Sequence, residues 1–298
     1  MKITLNEEIA SALREHRPIV ALESTVIAHG LPYPQNLETA RKLENTIRDN
    51  GATPATIAVF DGECFVGLDD SQVVRLATEK QIRKISPRDV AIAAAKKLDC
   101  ATTVATTAFF AHCAGIKVFA TGGIGGVHRG FAADVSADLP ALANTPITVV
   151  CSGAKVVLDL PATREWLETH GVTVLGWQCD ELPAFYSRAS GLPIDERVEN
   201  PDEVAEIVQA RDDLDLRTAV LVTVPIPAEF EIDRTELETI LDIALAAAEN
   251  KNIAGKETTP FLLSQLSALT GGKTLATNIA LLENNARVAA DISKALLY

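Results

Sequence analysis

Lys155 and Glu23 are the two residues whose type and setting could do chemistry. Lys155 closes the run Thr148-Val149-Val150-Cys151-Ser152-Gly153-Ala154, so an apolar strand would deliver it, and partial desolvation there would expose a nucleophilic amine. The competing reading is a surface lysine that snorkels past a strand end. Glu23 follows Ile19-Val20-Ala21-Leu22. A carboxylate there sits where open α/β sheets usually hold ligands, unless it caps a turn through Ser24 or Thr25.

Between them lies Thr121-Gly122-Gly123-Ile124-Gly125-Gly126-Val127-His128-Arg129-Gly130, with four glycines in five positions. Such density suits a backbone that needs φ > 0 or lies close against a ligand, and it equally suits a tight connection with no ligand. Two phosphate motifs fail here. A P-loop starting at Gly125 reaches Gly130, but Phe131-Ala132 replaces the required Lys and Ser/Thr. A dinucleotide fingerprint starting at Gly123 meets His128 at its third glycine. A second candidate anion site is Lys84-Ile85-Ser86-Pro87-Arg88, where Ser86 and Pro87 suit a helix start whose free N–H groups favour phosphate.

The elements that must position these residues alternate along the chain. Polar helices are expected over residues 7–17 and 70–79, and a helix capped by Asn36 buries Leu37, Ala40, Leu43 and Ile47, with Gly51 at its end. Thr56–Phe60 and Cys64–Val66 flank Asp61-Gly62, a hairpin signal, so the sheet is mixed. Strands are expected at residues 102–105, 116–120, 147–151, 172–175 and 219–224. Helices are expected from 106 to a stop at Gly115, as a turn at 139–144, and at 162–170, 201–212, 235–249, 259–269 and 277–296. No repeat or long linker interrupts this pattern. It reads as one α/β domain over residues 1–298, with a central, mostly parallel mixed sheet and helices on both faces.

Composition narrows the partners. The chain has 298 residues, 47% of them apolar, and a net charge of −13, which disfavours nucleic acid and anionic membrane as partners. Its five cysteines are scattered and never spaced Cys-x-x-Cys. With an N-terminus lacking an apolar signal core, they point to a reducing cytoplasm. No apolar run reaches the roughly 18 residues of a membrane span.

The motifs Ala21-Leu22-Glu23-Ser24-Thr25, His29-Gly30-Leu31-Pro32-Tyr33-Pro34, Pro54-Ala55-Thr56-Ile57-Ala58, Thr121 to Gly130, Ser136-Ala137-Asp138-Leu139, Pro183-Ala184-Phe185-Tyr186, Thr259-Pro260-Phe261-Leu262-Leu263, and Asn278-Ile279-Ala280-Leu281 with Asn284-Asn285-Ala286-Arg287 run in order to the C-terminus. In this set the chain resembles the pseudouridine-5′-phosphate glycosidase family, which includes the indigoidine synthase A proteins. The segment between Gly130 and Ser136 is shorter than in some members.

The resemblance implies reversible cleavage of the C–C glycosidic bond of pseudouridine 5′-phosphate to uracil and ribose 5-phosphate, a divalent metal, usually Mn2+, and a homotrimer. It assigns Lys155 the Schiff-base role, with Glu23 handling the proton at the uracil carbon. The two-carboxylate scheme of ordinary glycosidases suits an oxygen leaving group, and a carbon leaving group has no lone pair to protonate. Asp138 is the candidate metal carboxylate, directly or through water, or else a helix N-terminal charge; His128 and Asp134 are weaker candidates. Lys84, Thr121, Arg129 and Ser136 are expected on the phosphate, although Lys84 could be a solvated surface charge. Asn278 is expected on uracil, or as the cap of the last helix. Phe185 and Tyr186 read as wall or core.

Two other functions fit parts of this pattern. A sugar-phosphate aldolase or isomerase would use the same Schiff-base lysine, and a non-catalytic accessory protein would keep the cradle to bind a nucleotide metabolite.

Overall fold

Strands composed mainly of apolar residues can be covered on both faces, and six here are buried at every position: Ile19–Leu22, Thr53–Phe60, Cys100–Thr102, Val118–Ala120, Thr148–Cys151 and Val220–Thr223. The computed structural model describes residues 1–129, 134–251, 253 and 258–297, with the side chains of residues 259 and 260 outside the description. Within it, these strands belong to one eleven-stranded sheet. From Thr53–Phe60 the order runs through Ile19–Leu22, Val118–Ala120, Thr148–Cys151, Val220–Thr223 and Thr173–Trp177 to Glu196–Val198, every neighbour parallel.

The other end of the sheet is mixed, as the hairpin signal requires. Thr53–Phe60 pairs antiparallel with Glu63–Val66 and with Cys100–Thr102. Asp61 and Gly62, at φ 50° and 77°, make the turn. Two positive φ values in a two-residue loop are what the right-handed strand twist favours. Ile3–Leu5 extends this end in parallel with Glu63–Val66, and Arg83–Ile85 pairs in parallel with Cys100–Thr102.

Several expected boundaries move, each for a local reason. Thr102 ends its strand, because Thr103 caps the helix Val104–Cys113 and its hydroxyl accepts from the Thr106 N–H. Asn36 does not cap the helix Gln35–Asp49. It lies inside that helix, and its Nδ2 donates to the Ile27 and Ala77 carbonyls at 2.9 and 3.0 Å. The first helix stops at Arg14, and the last begins at Lys273 and runs to Ala295. Asn278 is therefore inside the last helix and caps nothing. Five strands outside the expected set also appear: Ile3–Leu5, Arg83–Ile85, Glu196–Val198 and the antiparallel pair Val127–His128 and Leu158–Asp159.

The register of the parallel strands sets up the site. Leu22 lies beside Ala120, and Ala120 beside Val150, so Glu23, Thr121 and the turn at Ser152 emerge next to one another at the carboxyl edge. The helix Lys273–Ala295 packs against the same three strands. Among the described residues no helix is long and apolar enough to cross a membrane.

Candidate active site

A cavity of about 530 Å3 opens at this carboxyl edge. Glu23, Lys84, Lys155 and Asn278, predicted from four separate stretches, all line it. Thr25, His29 and the wall residues Phe185 and Tyr186 join them. Seven residues and nearly two turns separate Asn278 from Asn285, so both lie on the helix face that meets the strand ends.

Glu23 is 8% exposed, and one carboxylate oxygen accepts from the Thr121 hydroxyl. Burial pushes its pKa up, because the charged form loses water. The Lys155 cation, the Thr121 hydroxyl and the Lys84 cation pull the other way, and the Asp138 charge adds to the rise. The loop behind Glu23 is held by hydroxyls. The Thr102 N–H donates to Ser24 Oγ at 2.9 Å, and Thr25 Oγ1 donates to the Thr102 carbonyl at 2.7 Å. Ser24 and Thr25 thus anchor the turn, and the Glu23 carboxylate stays aimed at the cavity.

Lys155 reaches the cavity from a turn that glycine makes possible. Gly153 has φ 81°, and a Cβ there would sit 2.2 Å from the Pro183 carbonyl oxygen. The Lys155 N–H donates to the Ile124 carbonyl at 3.0 Å, and the Ile124 N–H donates to the Gly153 carbonyl at 3.0 Å. The lysine segment and the glycine stretch are therefore zipped together.

Of the two readings of the glycines, close packing by the protein itself is the one seen at three of them. None of Gly122, Gly123, Gly125 and Gly126 lies in the left-handed region. They are small because the protein's own groups crowd them: a Cβ would meet the Phe185 ring at 2.7 Å from Gly123, Ser136 Oγ at 2.2 Å from Gly125, and Thr163 Oγ1 at 2.3 Å from Gly126. Only Gly122 and Gly123 line the cavity.

The remaining predicted residues separate from the cavity wall. The Thr121 hydroxyl is given to Glu23, so its observed partner is the carboxylate and not an open anion site. Asp138 is 6% exposed; Oδ1 accepts from the Ala105 N–H at 2.9 Å and Oδ2 from the Gly125 N–H at 2.8 Å. It ties the glycine stretch to the first turn of the helix Val104–Cys113. Ser136 Oγ accepts from the Asp138 N–H at 3.3 Å. Arg129 donates from Nε to the Leu158 carbonyl at 3.1 Å and lines a separate cavity of about 310 Å3. His128 pairs with Leu158 in the short ladder, and its N–H donates to the Asp134 carbonyl at 2.9 Å. The shortened segment between Gly130 and Ser136 falls largely on residues 130–133, outside the described residues.

Among the described residues no three His, Cys, Asp or Glu side chains come together as a metal-binding group. With both oxygens of Asp138 already accepting N–H groups, a cation there would take one anchor from the protein and most of its shell from water or ligand oxygens. That is an arrangement hard divalent cations accept.

A buried carboxylate and a lysine face one cavity at the carboxyl edge of a parallel sheet, beyond two strands that both flank Val118–Ala120, which is where α/β enzymes place their ligands. The chain belongs to the family described as indigoidine synthase A like protein, whose model matches residues 8–295. The pseudouridine-5′-phosphate glycosidase of Caldanaerobacter subterraneus is 52% identical over 98% of this chain and 95% of its own length. That of Geobacillus kaustophilus is 49% identical over 99% and 98%. Among solved structures, the prealnumycin C-glycosynthase AlnA in complex with ribulose 5-phosphate is 40% identical with a TM-score of 0.92, covering 100% of this chain and 97% of its own. An indigoidine synthase A-like protein from Thermotoga maritima has the same TM-score and coverage at 35% identity.

Proposed function

We propose that this protein is a C-glycosidase that reversibly cleaves pseudouridine 5′-phosphate to uracil and ribose 5-phosphate. The observation that carries the reading is the convergence of Glu23, Lys84, Lys155 and Asn278 on one cavity in a chain about half identical to glycosidases of that name. The kinship with a C-glycosynthase bound to a pentulose 5-phosphate supports a five-carbon sugar phosphate as the common ligand.

In this reading the Lys155 amine attacks C1′ and the ribose ring opens, with O4′ leaving as the hydroxyl. The nitrogen lone pair then forms an iminium at C1′. As it does so, the C1′–C5 electron pair passes to the uracil ring, and Glu23 delivers a proton to C5. Uracil leaves, and water hydrolyses the iminium to free ribose 5-phosphate and regenerate the amine. Lysine suits this task because its nitrogen lone pair is donated to the C1′ that becomes electron-deficient when the carbon leaving group departs with the bonding pair. The raised pKa of Glu23 suits a proton donor working above the ordinary carboxylate range. Lys84 provides the charge for the phosphate, and the Asn278 amide offers a donor and an acceptor to the base.

Thr121, Ser136 and Arg129 enter the reading differently. Thr121 orients Glu23, and Ser136 shapes the loop beside it. Arg129 holds the Leu158 carbonyl through Nε and faces the second cavity. A manganese ion belongs to the proposal as a source of positive charge near the sugar phosphate. Asp138 is its candidate anchor, and Asp134, half-buried four residues earlier, is the alternative. The assembly proposed is a homotrimer and the compartment the cytoplasm, and residues 1–298 are read as one functional domain. The test is incubation of uracil and ribose 5-phosphate with the protein and manganese, followed by absorbance and product mass. Formation of pseudouridine 5′-phosphate is expected. An aldolase or isomerase would consume the sugar without touching uracil, and that result would replace this reading.

A further inference from the structure

Asn285 is not among the groups proposed to react, yet it is fully buried and hydrogen-bonds to the ends of two strands, Val118–Ala120, whose next residue holds Glu23, and Thr148–Cys151, whose turn leads to Lys155. Its Nδ2 donates to the Thr121 carbonyl at 2.9 Å and to Ser152 Oγ at 3.1 Å, with the Gly122 carbonyl further off at 3.4 Å. Ser152 Oγ lies 3.3 Å from Asn285 Oδ1. Each of these partners leads to a working group within a few bonds. Thr121 holds Glu23 through its hydroxyl. Ser152 opens the turn to Lys155, and its N–H donates to the Gly122 carbonyl at 2.9 Å. Its own carbonyl accepts from the Phe185 N–H at 3.0 Å, which seats the aromatic wall of the cavity.

The position of Asn285 on its helix adds a third connection. Asn278, Leu282 and Asn285 recur at helical spacing on one face, and Asn278 and Leu282 both line the cavity. A Cβ on Gly122 would lie 3.1 Å from Leu281, 3.3 Å from Leu282 and 3.6 Å from Asn278 Oδ1, so this helix rests directly on the glycine stretch. A leucine would fill the site of Asn285 as well as an amide does if packing were the only need. A buried amide with both ends engaged instead fixes one axial and rotational register between helix and strand ends.

We infer that Asn285 is a positioning residue that sets the distance between the base-side group, Asn278, and the sugar-side pair, Glu23 and Lys155. The inference rests on the glycosidase reading of the cavity. A slip of the helix would separate the uracil contact from the proton donor, and misplacement of about 1 Å can cost roughly 10²-fold in rate. Because Asn285 also steadies Thr121, its loss weakens the hydroxyl bond that favours ionised Glu23. The limb of the rate profile governed by that carboxylate then moves to higher pH.

The test compares wild type, Asn285→Leu and Ser152→Ala, using pseudouridine 5′-phosphate as substrate. Turnover by Asn285→Leu is expected to fall about 10-fold to 10²-fold while KM changes far less, and its pH limb is expected to move upward. Ser152→Ala should show the same pattern in smaller measure, and it carries the test alone if the leucine variant does not fold. A folded variant with slower turnover but an unmoved pH limb would mark Asn285 as structural and overturn the inference, as would unchanged turnover in both variants. A wild-type protein that releases no uracil would overturn the glycosidase reading first, and this inference with it.

Discussion

Replacing Glu23 by glutamine separates its chemistry from its place in the fold. The substitution keeps the volume and leaves an amide oxygen to accept from the Thr121 hydroxyl, so the hydroxyl-held turn through Ser24 and Thr25 stays intact. It removes only the transferable proton. Positioned general acids contribute about 10² to 10⁴ in rate, which is roughly 2.7 to 5.4 kcal/mol of barrier. Uracil release by Glu23→Gln should therefore fall by about that factor, as followed by absorbance.

Stability should move the other way. In the folded state burial holds the Glu23 pKa above its ordinary value of 4.5, so the folded protein binds more protons than the unfolded chain between those two pKa values. Stability consequently drops as pH rises through that window, and Glu23→Gln abolishes this part of the slope. The variant should melt at or above the wild-type temperature at neutral pH. The cleavage rate should also decline as pH rises through the folded pKa, since only protonated Glu23 can supply C5. Undiminished turnover in a folded Glu23→Gln protein would refute the assignment, and a large fall in melting temperature would recast Glu23 as structural.

Three further outcomes are expected. Gly125→Ala forces a Cβ to within 2.2 Å of Ser136 Oγ and 2.7 Å of Asp138 Oδ2, and overpacking of this kind costs about 1 to 3 kcal/mol, measurable by urea denaturation. Lys84→Ala should weaken apparent binding of pseudouridine 5′-phosphate by about 10-fold to 10²-fold, read as a higher KM and equivalent to one charge-assisted hydrogen bond, and leave any weak activity on unphosphorylated pseudouridine unchanged. Chelation should lower turnover and added manganese restore it. The manganese concentration required should rise in Asp138→Asn if that carboxylate is the anchor, and in Asp134→Asn if the ion sits four residues earlier.

The placement of Glu23 and Lys155 at the cavity was legible because both follow apolar strands, and strand ends can be read from local pattern. Glu23 after Leu22 and Lys155 after the run to Cys151 both emerged where the alternation of elements put them. The Asp61-Gly62 hairpin was equally local, since two adjacent residues decide it. What escaped reading depends on partners far apart in the chain. Thr121 looked like a phosphate contact and proves to hold a carboxylate 98 residues earlier. Asn36 looked like a cap and instead bridges two carbonyls, one of them 41 residues away. The glycines suited either a ligand against the backbone or a tight connection, and at Gly123, Gly125 and Gly126 it is Phe185, Ser136 and Thr163 that press. The two-residue strands Val127–His128 and Leu158–Asp159 are too short for any period to register, and only their pairing defines them.

The most direct measurement of the central claim is borohydride reduction of the protein in the presence of ribose 5-phosphate, followed by peptide mapping. A pentose phosphate adduct is expected on Lys155 and absent from Lys155→Ala, with uracil release abolished in that variant. An adduct on another lysine, or turnover preserved in Lys155→Ala, would contradict the Schiff-base assignment.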